Sequence, residues 1–212
     1  MIKTKFCIIF DLDGTLVDSE VLCNQAFLNL LPELDEPVEA LVRRYRGKKL
    51  AIILDDLEKR AGRKLADNFE QDYRQEVANL FSLELKATPG THRMLDSLPY
   101  ACCVASSGPM AKIRQALAVS GLAGYFGDRV FSSYDVGSWK PEPGLFLHAA
   151  EKMGFSPENC VVIEDSQVGI EAAIAAGMQP LLYGASGTQE QPYRTFNHMD
   201  NLIDILSEML SD

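Results

Sequence analysis

Five apolar residues, Phe6-Cys7-Ile8-Ile9-Phe10, stop abruptly at Asp11-Leu12-Asp13-Gly14-Thr15. A short continuous run rich in Ile and Phe, bounded by polar residues, reads as a strand buried on both faces. Burial on both faces calls for a parallel sheet with helices packed on either side. In open α/β sheets the carboxyl ends of the strands are where ligands bind. Two carboxylates at such an end are costly unless a positive group neutralises them. A metal, a lysine, or both would meet that need.

Downstream of this strand the pattern turns helical and stays so. Helices are expected over Val21–Leu31, Val38–Tyr45, Leu50–Ala61 and Phe69–Phe81, with no strand-like stretch between Val17 and Lys86. A purely helical block inside an α/β pattern predicts an inserted domain. Its boundaries are expected at Val17-Asp18-Ser19 and at Thr88-Pro89-Gly90, where the residues favour a turn. The expected division is therefore a core of residues 1–16 and 88–212 and a helical cap of residues 17–87.

After Pro89 strands and helices alternate. Strands are predicted at Ala101–Ala105, Arg129–Ser132, Cys160–Ile163 and Pro180–Tyr183, the last being the final core strand. Helices are predicted at Thr91–Leu98, Met110–Ser120, Pro143–Lys152, Gln167–Ala176 and Asp200–Leu210, with a polar loop over 184–192. This alternation predicts an α/β fold, a Rossmann-like parallel sheet carrying the all-helical insertion.

The net charge of −10 argues against a general nucleic-acid binder. The N-terminal apolar run is too short for a signal-peptide core or a membrane span, so a cytoplasmic protein without membrane association is expected. Five cysteines without CxxC spacing suggest reduced structural thiols. The three histidines are scattered, which makes a histidine metal site a poor expectation.

With right-handed crossovers, the strand ends of a parallel sheet face one edge. Asp11 and Asp13, Ser106 (or its neighbour Ser107), and Glu164-Asp165 all follow strands, and Lys140 lies in the proline-stiffened loop Trp139–Gly144. One lysine, one hydroxyl and four carboxylates would then converge. Such a set suits phosphoryl transfer. Asp11 and Asp165 are a natural carboxylate pair for Mg2+, which prefers oxygen ligands. An aspartate can attack phosphorus, a second carboxyl can shuttle protons, and a lysine offsets charge.

DLDGT at 11–15, the strand ending at Ser106, KPEP at 140–143 and VVIEDS at 161–166 resemble, in order, the four motifs of the haloacid dehalogenase superfamily. The helical insertion after the first motif resembles the small cap of its β-phosphoglucomutase-like branch. The resemblance implies a Mg2+-dependent phosphatase working through an aspartyl-phosphate. It implies Asp11 as nucleophile and Asp13 as general acid/base, with the Asp13 backbone carbonyl on the metal. It further implies Ser106 on the transferring phosphoryl group, Lys140 pairing with phosphate and Asp11, and Asp165 on the metal with Glu164 as a second or water-mediated ligand. Gly14 and Thr15 would shape the loop beneath the phosphate.

Two other readings stay open: a sugar-phosphate mutase of the same branch, and a binding or regulatory protein that has kept only the fold. Cys23 stands where a mutase of this branch carries a histidine, which favours hydrolysis. The intact catalytic set argues against an inert protein.

Nine of the 20 Lys and Arg residues fall within 41–64. Lys59–Lys64 reads as a solvated helix face. In Arg46-Gly47-Lys48-Lys49, by contrast, a glycine between helices allows a loop to dip over the site. Arg46, Gly47 and Lys49 are the expected cap contacts to a small phosphorylated metabolite, a cation there suiting a sugar-acid carboxylate. GKKL, WKPEP and DSEV (18–21) are similar to the bacterial 6-phosphogluconate phosphatase branch.

Overall fold

The computed structural model describes residues 3–184 and 192–210; of the loop expected over 184–192, residues 185–191 lie outside the described residues. Strand β1 (Lys3–Phe10) opens the chain and is followed by helices α1 (Glu20–Leu30), α2 (Val38–Tyr45), α3 (Leu50–Ala61) and α4 (Phe69–Glu84). Then come α5 (Thr91–Ser97), β2 (Tyr100–Ser106), α6 (Met110–Val119), α7 (Ala123–Phe126), β3 (Val130–Ser132), α8 (Ser133–Val136) and α9 (Gly144–Met153). The chain continues through β4 (Cys160–Glu164), α10 (Gln167–Ala175), β5 (Gln179–Tyr183), β6 (Arg194–Phe196) and α11 (Leu202–Met209).

The strands form one sheet in the order β3-β2-β1-β4-β5-β6, every neighbouring pair parallel. The expected Rossmann-like α/β fold is borne out. Phe10 lies in register with Val104 of β2 and Ile163 of β4, so the residues that follow all three emerge at one edge.

Side chains alternate across a strand, and here both faces are dry. Ile8 and Phe10 pack with Val104, Val161 and Ile163 against α5, α6 and α11. Cys7 and Ile9 pack with Cys103, Cys160 and Val162 against α9 and α10. All five cysteines are free thiols.

Helices α1–α4 hold a core of their own, with Phe27, Leu31, Leu41, Tyr45, Leu57 and Phe69 buried together. Phe27 stacks on Tyr73 with ring centroids 4.1 Å apart. Leu22, Val77, Leu80 and Phe81 instead join the cluster above the sheet and tie this block to it. The chain leaves and re-enters the sheet layer side by side. Asp18 N donates to Lys86 O (3.1 Å), and Thr88 N donates to Leu16 O (2.9 Å).

Three elements differ from expectation. Strand β6 extends the sheet beyond β5, so Pro180–Tyr183 is not its last strand. Helices α7 and α8 lie in connections for which no element was expected. Each has only four residues, little more than one turn, and of β6 only Phe196 is buried. Such short pieces carry no periodicity to read. No helix among the described residues is long and apolar enough to cross a membrane.

Candidate active site

The end of β1 is tied to β4 by Asp11 N donating to Ile163 O at 2.9 Å. The chain then turns back on itself, with Leu16 N and Val17 N both donating to Leu12 O (3.0 and 3.1 Å). Gly14 makes this turn at φ +77, and a Cβ there would lie 2.5 Å from Asp165 Oδ2. Only glycine satisfies both the backbone and the space. Thus the DLDGT loop lies directly against the end of β4.

Lys140 reaches this edge from the loop before α9. Its Nζ donates to Asp11 and to Glu164, and all three are at least nine-tenths buried. Burial works against the lysine's charge, but the two carboxylates outweigh it and hold the ammonium well above its ordinary range. Asp11 is pushed well above the carboxylate range by burial; Lys140 opposes the shift, while Glu164 and Asp165 reinforce it. Asp165 is raised to about 6 by burial and by Glu164, against Arg46. The edge therefore carries more buried negative charge than its cations offset.

Asp13 has a different environment. Its Oδ1 accepts from Ser19 Oγ (2.6 Å) and from Lys112 Nζ (2.8 Å). Burial again opposes the charge, but Lys112 and Ser19 prevail and hold this carboxyl below the usual range. Ser106, the last residue of β2, is buried and accepts at Oγ from Gly108 N at 3.1 Å. Two carboxylates two residues apart are thus pushed in opposite directions, Asp11 toward its neutral form by burial and Asp13 toward its charged form by Lys112 and Ser19.

Glu164 faces inward. One oxygen meets Lys140, and the other accepts from Ser166 N (2.9 Å) and Ser166 Oγ (2.7 Å). Gly169 lies hard against this carboxyl, and a Cβ there would fall 1.9 Å from its carbon. Gly169→Ala is therefore expected to displace Glu164 and cost about 1–3 kcal/mol of stability, read as a lowered Tm; an unchanged Tm would show that the neighbourhood gives way freely.

The loop 46–49 does come down over the core. Gly47, at φ +71, would place a Cβ 2.9 Å from Val168 Cγ2 at the start of α10. Arg46 donates from Nε and Nη2 to Asp165 Oδ2 at 2.9 and 2.7 Å, an ion pair rather than an open cation. Lys49 lies 5.7 Å from the Trp139 ring centre, and Lys48 lies 6.0 Å from that of Tyr45. Neither lysine has a carboxylate partner among the described residues. By contrast, Arg60, Arg63 and Lys64 are engaged by Glu36, Glu33 and Glu58 on the outer surface.

Between this loop and the sheet edge lies a cavity of about 790 Å3. Asp11, Asp13, Ser106 and Lys140 line its floor, and Asn24, Tyr45, Lys49 and Tyr73 line the helical side. Lys112 and Ser19 are the residues that sequence reasoning left out. Ser19 was legible only as part of a hinge, and Lys112, early in α6, has no local feature that sets it apart from a solvent lysine.

The donor set fits Mg2+. Asp11 and Asp165 are buried carboxylates, raised chiefly by burial and by the Glu164 charge beside them, and hard oxygen donors are what this ion takes. No group of three His, Cys, Asp or Glu side chains among the described residues forms a cage for a metal.

Residues 7–177 match the model of the haloacid dehalogenase-like hydrolases. The chain belongs to this family. It is 36% identical to the 6-phosphogluconate phosphatase of Escherichia coli K12 over 93% of each chain. Among solved structures it resembles a haloacid dehalogenase-like protein of Agrobacterium tumefaciens C58, with a TM-score of 0.82 and 31% identity over 96% of this chain and 98% of that one. It also resembles a β-phosphoglucomutase-like protein of Thermotoga maritima, with a TM-score of 0.77 and 28% identity over 96% and 99%. The expected enzyme class, a phosphatase, is borne out.

Proposed function

We propose that the chain is a Mg2+-dependent phosphatase for phosphorylated sugar acids, 6-phosphogluconate among them, with residues 17–87 acting as a substrate-selecting cap. The observation that carries the reading is the pairing of opposite functions across one cavity. Its floor holds Asp11 against the buried Lys140, and its helical side brings the carboxylate-free cations Lys48 and Lys49. The similarity to the Escherichia coli 6-phosphogluconate phosphatase supports the same class.

Asp11 attacks the phosphorus, and the bond to the sugar oxygen breaks as Asp13 gives that oxygen a proton, one this carboxyl takes up as the phosphate's charge enters the cavity, since Lys112 and Ser19 hold it ionised before that. Asp13 then takes a proton from water, whose oxygen displaces Asp11 from the phosphorus and releases phosphate. Lys140 keeps its charge throughout and offsets that of the nucleophile and the phosphoryl oxygens. Ser106 Oγ donates to one of those oxygens. Mg2+ held by Asp11, Asp165 and the Asp13 carbonyl would neutralise phosphoryl charge. We assign Glu164 to Lys140 rather than to the metal, because both its oxygens already accept.

The mutase reading lacks a comparable support. Cys23 borders the cavity, but burial pushes its thiol up to about 11, so it stays a neutral group beside Asp13.

A panel of phosphate esters tests the proposal. Phosphate release is expected to favour 6-phosphogluconate over glucose 6-phosphate and to vanish with a chelator. Lys49→Met is expected to cost the acidic substrate about tenfold more kcat/KM than the uncharged hexose, one tenfold step being about 1.4 kcal/mol. Full activity without divalent metal would overturn the mechanism; equal losses on both substrates would overturn the selection by charge.

A further inference from the structure

Helix α1 carries, in the wall of the cavity, two side-chain oxygens that no described residue satisfies. Glu20 and Asn24 are four residues apart, hence on one face of the helix, and both line the cavity. Asn24 is only 6% exposed. Its Nδ2 donates to Glu20 O at 2.8 Å, which fixes the amide with Oδ1 turned away from the backbone. That Oδ1 and Glu20 Oε2 are buried with no hydrogen-bond partner among the described residues. Glu20 borders the same cavity as Asp13, Lys112 and Asp165.

Arg46 and Lys112 are the nearby donors, and they are directed to Asp165 and Asp13 instead. The unpartnered atoms are acceptors, so what completes them must bring donors. Ammonium groups are disfavoured by Lys48 and Lys49 on the same cavity wall. Hydroxyl groups carry the needed hydrogens without charge. Neither oxygen is open to water, so the pair is left without donors, and the half-buried Glu20 chain is the one of the two that has room to turn toward a ligand.

We propose that Glu20 and Asn24 form a subsite for neighbouring hydroxyls of the substrate's carbon chain, making the enzyme selective for polyhydroxylated phosphate esters. This rests on the phosphatase reading above, but not on a substrate carboxylate. A site built to bond a hydroxyl rejects the analogue lacking it, because its own buried polar groups then stay unpaired.

Glucitol 6-phosphate and propyl phosphate separate the possibilities, since neither carries a carboxylate. The wild-type enzyme is expected to favour the polyol ester by roughly 100-fold in kcat/KM. Asn24→Ala and Glu20→Ala are each expected to lower that ratio about tenfold or more, through KM rather than kcat, with Glu20→Gln retaining most of it. Turnover of propyl phosphate as readily as glucitol 6-phosphate by the wild-type enzyme would overturn the subsite even if every variant failed to fold. So would an unchanged ratio in both alanine variants. Turnover of no ester at all would overturn the phosphatase reading itself.

Discussion

Asp11→Asn is expected to lower phosphate release by roughly 10^4-fold or more, the scale of losing a nucleophile, while leaving the protein as stable as before or more so. Asparagine keeps the shape but has no carboxylate to attack phosphorus. Acid-quenched wild-type enzyme should carry phosphate on the peptide containing Asp11, and the variant should carry none. The stability half of the expectation follows from the direction of the Asp11 shift. Burial outweighs the attraction of Lys140 and holds this carboxyl above its unfolded value. A group raised in this way contributes stability at low pH that is lost as pH rises through its folded value. At neutral pH the wild-type protein therefore carries a penalty that asparagine removes, while Lys140 keeps Glu164 as partner. In chelator, the difference in Tm between variant and wild type should grow in the variant's favour from pH 5 to pH 8. Retained turnover would overturn Asp11 as nucleophile; a difference that shrinks with pH would overturn the electrostatic account.

Residues buried on both faces of the sheet were the legible part of this chain. FCIIF, ACCVA and CVVI are continuous apolar runs because their side chains are buried, only Phe6, Ala101 and Cys102 in part exposed, and all three are strands in the expected places. The opposite condition hid β6, whose Arg194 and Thr195 are not buried. The site followed from topology: once the sheet is parallel, Asp11, Ser106, Lys140 and Asp165 have one edge to share. What topology does not decide is which carboxylate a cation chooses. Arg46 was expected to reach for substrate and instead bonds Asp165, 119 positions away in the chain. Lys112 finds Asp13 across 99 positions. Both pairings depend on how α2 and α6 are set against the edge, a matter of packing that no local pattern encodes. Glu164 and Asp165 illustrate the same limit at shorter range. Successive residues at a strand end point to opposite sides, and their order alone left open which of them turns inward to Lys140.

Lys140→Met should be the most damaging single change to the fold's stability at this edge. The ammonium is the shared partner of Asp11 and Glu164, and its side chain is 5% exposed. Methionine fills a similar volume, so packing is largely kept and the loss is electrostatic. Breaking a buried pair by removing one member costs about 3–5 kcal/mol, because a charge stays behind without compensation. For a chain of this size that corresponds to roughly 6–20 °C in Tm. Two carboxylates would face each other here, so the variant can relieve the strain only by taking up a proton. Asp11, already raised by burial, is the group to take it. A folded-state value raised further means stability retained at low pH and lost as pH rises. The destabilisation relative to wild type should therefore be smaller at pH 5 than at pH 8 in metal-free buffer. Adding Asp11→Asn to Lys140→Met should restore part of the loss, since the double variant leaves only one buried carboxylate. If the double variant were no more stable than Lys140→Met alone, repulsion between Asp11 and Glu164 would not be what Lys140 suppresses, and its role would be confined to the phosphoryl group.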